Sequence, residues 1–328
     1  MRVAGYGDLV MKLYPFKFKA IFKERIWGGD GLARFFNKEL PANTRIGESW
    51  ELADLADDKS VIVNGWLAGL NIAQVLDKYS VELTGSVDFE RPFPLLIKLL
   101  DAQDILSVQV HPDQAACDRM GTGEPKTECW YIIDAAKGAY IYKDVKRGTT
   151  REQFAAAIKN GTVADLLVKV FVKAGECHFL PSGTVHAIGA GLMIAEIQQP
   201  SDTTYRVFDF NRVDDSGKPR KLHVEEALES TNFNMPADKL TVRHVGRLVE
   251  SEFFCIDKGH QAARCETLLD GGLKVLMFFS GSGKIVPADK DIDVVHFEKG
   301  DTVLIPASYK GAIRFDQDCE HLIITLPS

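Results

Sequence analysis

The segments VKAGECHFLPSGTVHAIG (172–189) and FEKGDTVLIPASYKGAIR (297–314) decide the fold, because they are two copies of one pattern. Gly175 matches Gly300, an acidic residue follows each glycine, and an apolar run leads to a proline in each copy. The pattern predicts a turn, a short strand and a second turn. Chance similarity over so short a stretch is the alternative, but a true internal repeat predicts two similar lobes.

Short strand-like runs, bounded by Gly, Pro, Asp or Asn, dominate the chain around the repeat. Examples are Ser60–Val63, Pro94–Leu99, Leu106–Val110, Trp130–Ile133, Val170–Val172, Met193–Ile197, Leu273–Phe279 and Thr302–Pro306. This pattern is typical of β-sandwiches and barrels, and the repeated motif recurs in cupin-type jelly rolls. We therefore predict a mainly β protein with two cupin-type jelly-roll lobes.

Helical patterns are few. We predict helices at 71–79, 150–158, 163–168 and 224–228, so that a small helical insertion lies near residues 145–170. Strands do not alternate regularly with helices, which makes a doubly wound parallel sheet a poor fit.

The repeat also divides the chain. We expect a flexible N-terminal extension over residues 1–11, a first lobe over 12–240 and a C-terminal jelly roll over 241–328. In the register of the repeat, His186 falls opposite Gly311 and His178 opposite Val303. Because the second lobe lacks both histidines, we predict that it is metal-free and that any metal belongs to the first lobe.

Composition narrows the class of protein. The 328 residues carry a formal net charge of -7, which argues against binding to nucleic acid or anionic membranes. Six scattered cysteines form no CxxC pair, as expected for reduced thiols in a cytoplasmic protein. We find no signal peptide or run long enough to span a bilayer. Walker A, dinucleotide-binding and GxSxG motifs are also absent.

The run Ser107–Asp113 (SVQVHPD) is the densest chemical candidate. On a strand, Ser107, Gln109 and His111 share one face while two valines occupy the other. This arrangement predicts a strand that lines a polar cavity. An exposed sheet face with solvated polar groups is the alternative, and the segment by itself leaves both open.

Two further segments supply possible metal ligands. Glu128 enters an apolar strand shortly after Lys126, and His186 follows a turn inside an apolar stretch. Taken singly, they suggest a solvated ion pair and a core histidine. Together with the previous strand they offer an N/O ligand set suited to Zn²⁺ or a similar ion, namely Gln109, His111, Glu128 and His186. His178 is a competing histidine.

A last polar segment runs from Glu196 to Asp209. Glu196 alternates with apolar residues on a predicted strand, and Arg206 follows a polar turn. A fixed cation beside a metal could stabilise an enediolate or hold a phosphate. The alternative is a surface arginine paired with Asp202 or Asp209.

Taken in order, these segments resemble the type I phosphomannose isomerases, particularly the short bacterial form. The resemblance covers most of residues 12–230 and rests on Trp27–Gly29, Gly47–Glu51, Pro94–Ala102, Ser107–Asp113, Pro125–Glu128, Pro181–His186 and Glu196–Asp209. It implies one Zn²⁺ per chain and interconversion of mannose 6-phosphate and fructose 6-phosphate through a cis-enediol. We expect a sugar phosphate as the partner molecule and a monomer or weak homodimer.

The resemblance also implies roles for individual residues. The zinc ligands are Gln109, His111, Glu128 and His186; the catalytic residues are Arg206, Lys126 and Glu196; the substrate-binding residues are Ser107, Lys98, Glu48, Asp202 and Trp27. Glu196 is our candidate for the general base. Longer family members have a His at Pro125 and a Tyr at Ile188, so the identity of the base stays open.

Two other functions fit the same fold, since fold does not fix function. A non-catalytic sugar-binding or regulatory cupin would be expected to lose Arg206 or a ligand. A metal-dependent oxygenase would be expected to show a His-rich iron site, whereas Gln109 and Glu128 beside Lys126 favour a phosphorylated sugar. A fused nucleotidyltransferase would need a further domain, for which this chain has no room.

Overall fold

The computed structural model describes residues 12–327 except 88, 90, 214–216, 236–240, 243 and 244. The predicted extension over residues 1–11 lies outside the described residues. Within the described part, no helix is long and apolar enough to cross a membrane.

The first lobe consists of two antiparallel sheets that face each other. In sheet order, the seven-stranded sheet contains β13 (Thr241–Val242), β9 (Glu176–Leu180), β6 (Glu128–Ala135), β11 (Leu192–Gln198), β4 (Leu96–Ala102), β3 (Ile46–Leu52) and β2 (Ile21–Gly29). The five-stranded sheet contains β12 (Tyr205–Phe208), β5 (Val108–Val110), β10 (His186–Ile188), β7 (Tyr140–Val145) and β8 (Leu167–Phe171).

The second lobe repeats this arrangement on a smaller scale. Its six-stranded sheet contains β1 (Phe16–Lys17), β20 (Thr302–Ile305), β17 (Lys274–Phe278), β22 (Cys319–Thr325), β15 (Cys255–Gln261) and β14 (Gly246–Glu250). Its four-stranded sheet contains β16 (Glu266–Asp270), β21 (Lys310–Phe315), β18 (Ser282–Pro287) and β19 (Val295–Glu298).

The sequence repeat corresponds to equivalent strand pairs. In the first lobe the repeat runs from β9 to β10, and in the second from β20 to β21, so each copy crosses from one sheet of its lobe to the other. The predicted fold class, mainly β with two cupin-type jelly-roll lobes, is confirmed. The division at residue 240 stays a prediction. At the start of the described chain, β1 pairs with β20 (Phe16 opposite Leu304) and so joins the sheet of the second lobe.

The helices are α1 (Gly31–Phe36), α2 (Ile72–Thr84), α3 (Gln114–Met120), α4 (Arg151–Asn160) and α5 (Val224–Ser230), with a 3₁₀ turn at Val163–Leu166. Capping explains the boundaries of α2 and α4. Asn71 and Thr150 each accept a hydrogen bond from the backbone of a glutamine three residues later, and that glutamine bonds back to the cap. Gly85 and Gly161 end these helices in the left-handed region, which glycine adopts without a Cβ clash.

Two local predictions need correction, and two helices were not predicted. Residues 163–168 form a short 3₁₀ turn followed by the start of β8, because the chain there pairs with β7. Ser60–Val63 makes only isolated bridges, including Val61 opposite Asn71. Helices α1 and α3 were not predicted; Asp113 caps α3 by accepting a hydrogen bond from Ala116.

Strands β3, β4 and β11 of the seven-stranded sheet are buried on both faces. Alternate residues such as Ile97, Tyr131 and Ala195 pack against the second lobe in one continuous core that also includes Ile256 and Leu322. Burial of a large apolar side chain such as Ile97, Ile256 or Leu322 stabilises the fold by roughly 1.5–3 kcal/mol. The opposite face of the same strands points into the cleft of the first lobe, where the polar side chains lie.

Candidate active site

A cleft of about 410 Å³ lies between the two sheets of the first lobe. Nine residues proposed from the sequence line it: Trp27, Glu48, Lys98, Ser107, Gln109, Lys126, Glu196, Asp202 and Arg206. Its size suits a single small ligand. A larger cavity of about 1220 Å³ lies elsewhere, against Lys143, Phe179 and Phe233, and none of the proposed site residues lines it.

A buried cluster of three side chains adjoins this cleft. The ligand atoms of His111, Glu128 and His186 all lie within 4.8 Å of one another. His111 follows the last residue of β5, whereas Glu128 and His186 open β6 and β10, so three strands bring together residues that are far apart in sequence. Gln109 lies directly opposite His186 in the sheet, and its side chain lines the cleft.

The cluster carries buried polar atoms that no hydrogen bond satisfies. The two imidazole Nε2 atoms lie 3.2–3.3 Å from Glu128 oxygens, and neither Nε2 nor Glu128 Oε1 makes a hydrogen bond to the described residues. Glu128 Oε2 has the Lys126 ammonium beside it. Unpaired buried polar atoms are costly, so such a group needs a partner. Nitrogen and carboxylate donors at these positions fit a divalent cation such as zinc.

Backbone carbonyls orient both histidines. The Nδ1 atom of His111 donates to the Thr203 carbonyl at 2.8 Å, and that of His186 donates to the Thr184 carbonyl at 2.8 Å. This tautomer leaves the Nε2 lone pair of each ring directed at the cluster. Burial, with help from the Lys126 charge, lowers the pKa of His111 to about 3, and burial also lowers that of His186. Both rings are therefore neutral near pH 7, as a ligand must be.

Glu128 is the anionic member of the cluster. Burial acts to raise the pKa of this carboxyl, but the positive charge of Lys126 holds it well below its usual range. The Lys126 ammonium lies 2.8 Å from Glu128 Oε2 and is itself 4% exposed. Lys126, two residues before Glu128, thus supplies a fixed positive charge beside it.

Basic and acidic side chains alternate along one wall of the cleft. The Lys98 ammonium lies 3.0 Å from Glu196 Oε1 and 4.0 Å from Glu48 Oε2. Arg25 donates from Nε to the other oxygen of Glu48 at 2.7 Å. Burial acts to lower the pKa of Lys98, but the two glutamates and Asp202 raise it above the usual value. The ammonium therefore stays protonated between its carboxylates.

Two buried indoles fix the orientation of these carboxylates. Trp130 donates from Nε1 to Glu196 Oε2 at 3.0 Å, and Trp50 donates to Glu48 Oε2 at 2.7 Å. Burial acts to raise the pKa of Glu48, but Lys98, Arg25 and the Trp50 N–H lower it overall. Each carboxylate is thus held rigidly at the wall of the cleft.

Arg206 lies on the opposite wall. It stands across from Gln109 in the sheet, and its Nη1 donates to the Lys221 carbonyl at 3.0 Å. Its buried Nε has no hydrogen-bond partner among the described residues. The alternative was a surface arginine paired with Asp202 or Asp209. Asp209 binds Arg212 and Arg220, and no ion pair joins Arg206 to either aspartate among the described residues.

The structure also shows where His178 and Ile188 lie. The competing histidine His178 contacts Glu176 at 3.2 Å and lies outside the three-residue cluster. Ile188, where longer relatives have a tyrosine, lines the cleft.

Sequence reasoning missed some polar residues of the cleft. Arg25 lies two residues before Trp27 on β2, so strand alternation could have placed both on one face. Arg220 follows β12 in an irregular segment with no periodic signal. Trp130 reaches Glu196 from a neighbouring strand and carries no local signature. Trp50 lies two residues after Glu48 on β3, so strand alternation could have placed these two side chains on one face.

The fold and the buried cluster together define a two-lobed cupin whose polar centre lies in the first lobe. The profile described as phosphomannose isomerase type I, catalytic domain, matches residues 15–127. Mannose-6-phosphate isomerase ManA of Bacillus subtilis is 37% identical over 304 residues, which cover 90% of this chain and 94% of the relative. A mannose-6-phosphate isomerase of Streptococcus mutans is 36% identical over 312 residues, covering 93% and 96%.

Comparison with solved structures points to the same family as the sequence comparison. The crystal structure of mannose 6-phosphate isomerase from Bacillus subtilis matches with a TM-score of 0.85 and 30% identity, covering 95% of this chain and 99% of that one. The chain belongs to the type I phosphomannose isomerase family. The predicted membership of this family of isomerases is confirmed.

Proposed function

We propose that the protein is a zinc-dependent aldose–ketose isomerase that interconverts mannose 6-phosphate and fructose 6-phosphate through a cis-enediol. The observation that carries this proposal is the buried cluster of His111, Glu128 and His186 beside a cleft lined by fixed cations and carboxylates. The names of the relatives support the choice of substrate.

The proposed ligands of the metal are Gln109, His111, Glu128 and His186. When bound, Zn²⁺ would supply a Lewis acid that polarises a sugar oxygen. The unsatisfied Nε2 and carboxylate atoms support this assignment, since a cation would complete their interactions. Lys126 would limit the negative charge that Glu128 presents.

The general base in this proposal is Glu196. It would remove the proton from C2 of the aldose, so that the electrons of the C–H bond form the C1–C2 double bond. The carbonyl oxygen at C1 would take up a proton to give the enediol. The C2 hydroxyl would then lose its proton as its oxygen forms the new carbonyl at C2, and the electrons of the C1–C2 double bond would take up a proton at C1 to complete the ketose. Lys98 and Trp130 hold the two Glu196 oxygens and would keep the carboxylate in place between the two steps.

Charge in the cleft would stabilise the intermediate. An enediolate carries negative charge that preorganised donors can offset. Arg206 is the proposed donor, because its buried Nε has no partner among the described residues. Lys126 and Ser107 would hold the phosphate or shuttle protons, while Glu48, Asp202 and Trp27 would bind the sugar.

The first experiment is a coupled assay of fructose 6-phosphate formation from mannose 6-phosphate. We expect activity that EDTA abolishes and that added zinc restores. A folded, metal-loaded protein without activity would contradict the proposal and favour a sugar-binding cupin. A thermal-shift screen of sugar phosphates would then identify what it binds.

The role of Glu196 has its own test. Glu196→Gln should reduce exchange of the C2 hydrogen with solvent by roughly 10²- to 10⁴-fold, because a general base is lost. Glu266→Gln is a matched control, since this carboxylate pairs with Arg314 in the second lobe. A nearly unchanged exchange rate in Glu196→Gln would exclude Glu196 as the base.

A further inference from the structure

Four side chains form a row across neighbouring strands of the seven-stranded sheet. Trp130 on β6 lies directly opposite Glu196 on β11, Glu196 lies opposite Lys98 on β4, and Lys98 lies opposite Trp50 on β3. Residues directly opposite one another share a face of the sheet, so all four project on the side of the cleft. The row therefore places an indole at each end of a carboxylate–ammonium pair.

Trp130 contacts two different parts of the candidate site. Its Nε1 donates to Glu196 Oε2 at 3.0 Å, and its ring meets the His186 imidazole edge to face, with the ring centres 5.2 Å apart and the planes at 84°. The side chain is fully buried, so its single polar atom is committed to Glu196 while the ring system packs against its neighbours. One rigid group thus touches both the proposed base and a proposed metal ligand.

Trp50, at the other end of the row, shows what is particular to Trp130. The Trp50 Nε1 donates to a carboxylate in the same way, to Glu48 at 2.7 Å. Its ring, however, packs against ammonium groups, which lie 4.5 Å (Lys23) and 5.2 Å (Lys98) from the ring centre. Both indoles hold a carboxylate, but of the two it is Trp130 that packs against a histidine of the metal cluster.

We infer that Trp130 is a positioning residue that links the proposed base to the metal cluster, with its N–H fixing Glu196 and its ring fixing His186. This inference rests on the proposed function and deepens it. The Thr184 carbonyl holds His186 at Nδ1, and the indole limits the remaining tilt of the imidazole. Lys98 holds one oxygen of Glu196, and the indole holds the other. Groups that support a metal ligand from outside set its orientation, so a shift of His186 on metal binding reaches Glu196 through the indole.

The two contacts of Trp130 can be removed separately. Phenylalanine keeps an aromatic ring that can pack edge to face but has no N–H donor, whereas leucine has neither feature. Trp130→Phe should therefore release Glu196 and leave His186 packed, and Trp130→Leu should release both. A residue that only fills space would give two variants that differ in stability alone.

Kinetics and zinc titration on both variants test this separation. Trp130→Phe should lower kcat roughly 10- to 100-fold, because a hydrogen bond to a charged group is lost. Its KM should change less than about threefold, since the buried indole is no part of the cleft lining. Calorimetric titration of the EDTA-treated protein should give a zinc affinity like that of the unmodified protein. Trp130→Leu should show the same fall in kcat and a zinc affinity roughly 2- to 10-fold weaker, because the aromatic pair is lost.

A double-mutant cycle tests whether Trp130 acts through Glu196. In a Glu196→Gln background, Trp130→Phe should cause a much smaller further loss of C2 hydrogen exchange, because the charged group that it positions is gone. A loss of equal size in both backgrounds would overturn the inference. Trp66→Phe is the matched control, since this partly exposed indole donates to the Lys12 carbonyl and does not line the cleft. It should leave kcat, KM and zinc affinity unchanged.

The indole N–H signals in a nitrogen–proton NMR spectrum provide a readout that needs no turnover. The chain has four tryptophans, and the signal that disappears in Trp130→Phe belongs to Trp130. We expect this signal to move in Glu196→Gln and also when zinc is added to the EDTA-treated protein, while the Trp66 signal moves in neither case.

The outcomes of these experiments are distinct. A Trp130 signal that fails to respond to either change, or equal zinc affinities in Trp130→Leu and the unmodified protein, would overturn the inference. If the Trp130 variants fail to fold, the signal is assigned by replacing the other three tryptophans, and the two shifts decide. Both shifts in a protein without isomerase activity would retain the link between Glu196 and His186 and refute the proposed function.

Discussion

The two lobes use one strand–turn–strand pattern for different interiors. In the first lobe, the residue that opens β10 is His186, a member of the proposed metal cluster. In the second lobe, the matching position is Gly311 on β21, and Val303 takes the place of His178. The scaffold is therefore common to both lobes, while the capacity to hold a polar centre is confined to one.

Packing shows why the second lobe has no side chain at the position of His186. A Cβ atom at Gly311 would lie 2.4 Å from the Val286 carbonyl oxygen and 2.7 Å from Tyr309 Oη, so no side chain fits. The interior is filled instead by rings such as Phe278 and Phe297, which stack at 3.8 Å. Burying ionisable groups requires a network of partners, which surrounds His186 in the first lobe, whereas apolar packing surrounds the matching position in the second.

The largest expected difference between the lobes is the effect of removing a buried histidine. His186→Gln should abolish stoichiometric metal binding and lower kcat/KM roughly 10³-fold, because a bound metal contributes several kcal/mol to catalysis. His321→Gln replaces a buried histidine of the second lobe, where Phe278 and Phe315 pack against the ring. It should lower stability by ~1–3 kcal/mol and leave metal content unchanged.

Metal analysis and steady-state kinetics on both purified variants check this comparison. Loss of metal from His321→Gln would show that the second lobe contributes to the site. Retention of metal and activity by His186→Gln would remove His186 from the ligand set. Circular dichroism on each variant controls for folding.

The two-lobed β fold could be predicted from the sequence because the signals that indicate it are local. Strand alternation, bounding turn residues and the repeated Gly-to-Pro pattern each act over a few residues, and they were enough to predict two jelly-roll lobes. Strand alternation also grouped Gln109 with His111. The pairing of β1 with β20 could not be read from the chain, because it joins residues almost 290 positions apart (Phe16 and Leu304).

The residues of the candidate site also fall into two groups, those with a local sequence signal and those without one. Residues on strands, such as Glu196 and Arg206, could be proposed from alternation and from the resemblance to a known family. Arg220 could not, because it enters the cleft through its hydrogen bonds to Asp209 from a segment without periodicity. The orientation of Glu196 by Trp130 likewise depends on the register of β6 and β11, which only the structure provides.

The second expected effect is a loss of stability in acid that depends on His321 of the second lobe. Burial lowers the pKa of His321 to about 4 in the folded protein, whereas an unfolded histidine titrates near about 6.5. Between these values the unfolded state binds the additional proton, so stability falls as pH falls through this window. The cost reaches about 3 kcal/mol at the acid end, and above about pH 6.5 His321 makes no contribution to the pH dependence.

Urea unfolding of EDTA-treated protein at pH 7 and pH 4.5 measures this effect. The fall in unfolding free energy should be smaller in His321→Gln than in the unmodified protein. Because His111 and His186 are present in both, the difference isolates the second lobe. Equal falls would mean that His321 is already protonated or accessible in the folded state.

A methyl group at Gly311 tests the packing argument. Gly311→Ala should lower the unfolding free energy by about 1–3 kcal/mol, because a backbone carbonyl stands where the new Cβ would lie. Activity per folded molecule should not change, since the position is remote from the cleft. Chemical unfolding followed by fluorescence measures the first quantity, and the coupled assay measures the second. An unchanged unfolding midpoint would show that β21 can move away from Val286.

The smallest effect is expected at Tyr309, whose hydroxyl is buried without a hydrogen-bond partner among the described residues. Burial raises the pKa of this phenol to about 12. Tyr309→Phe therefore removes an unsatisfied group and should change stability by less than about 1 kcal/mol, in the stabilising direction. Combined with Gly311→Ala, it should recover part of that loss, because Oη lies 2.7 Å from the new Cβ position. A destabilisation above about 1 kcal/mol would reveal a polar partner for Tyr309, and the second lobe would then have a polar interior of its own.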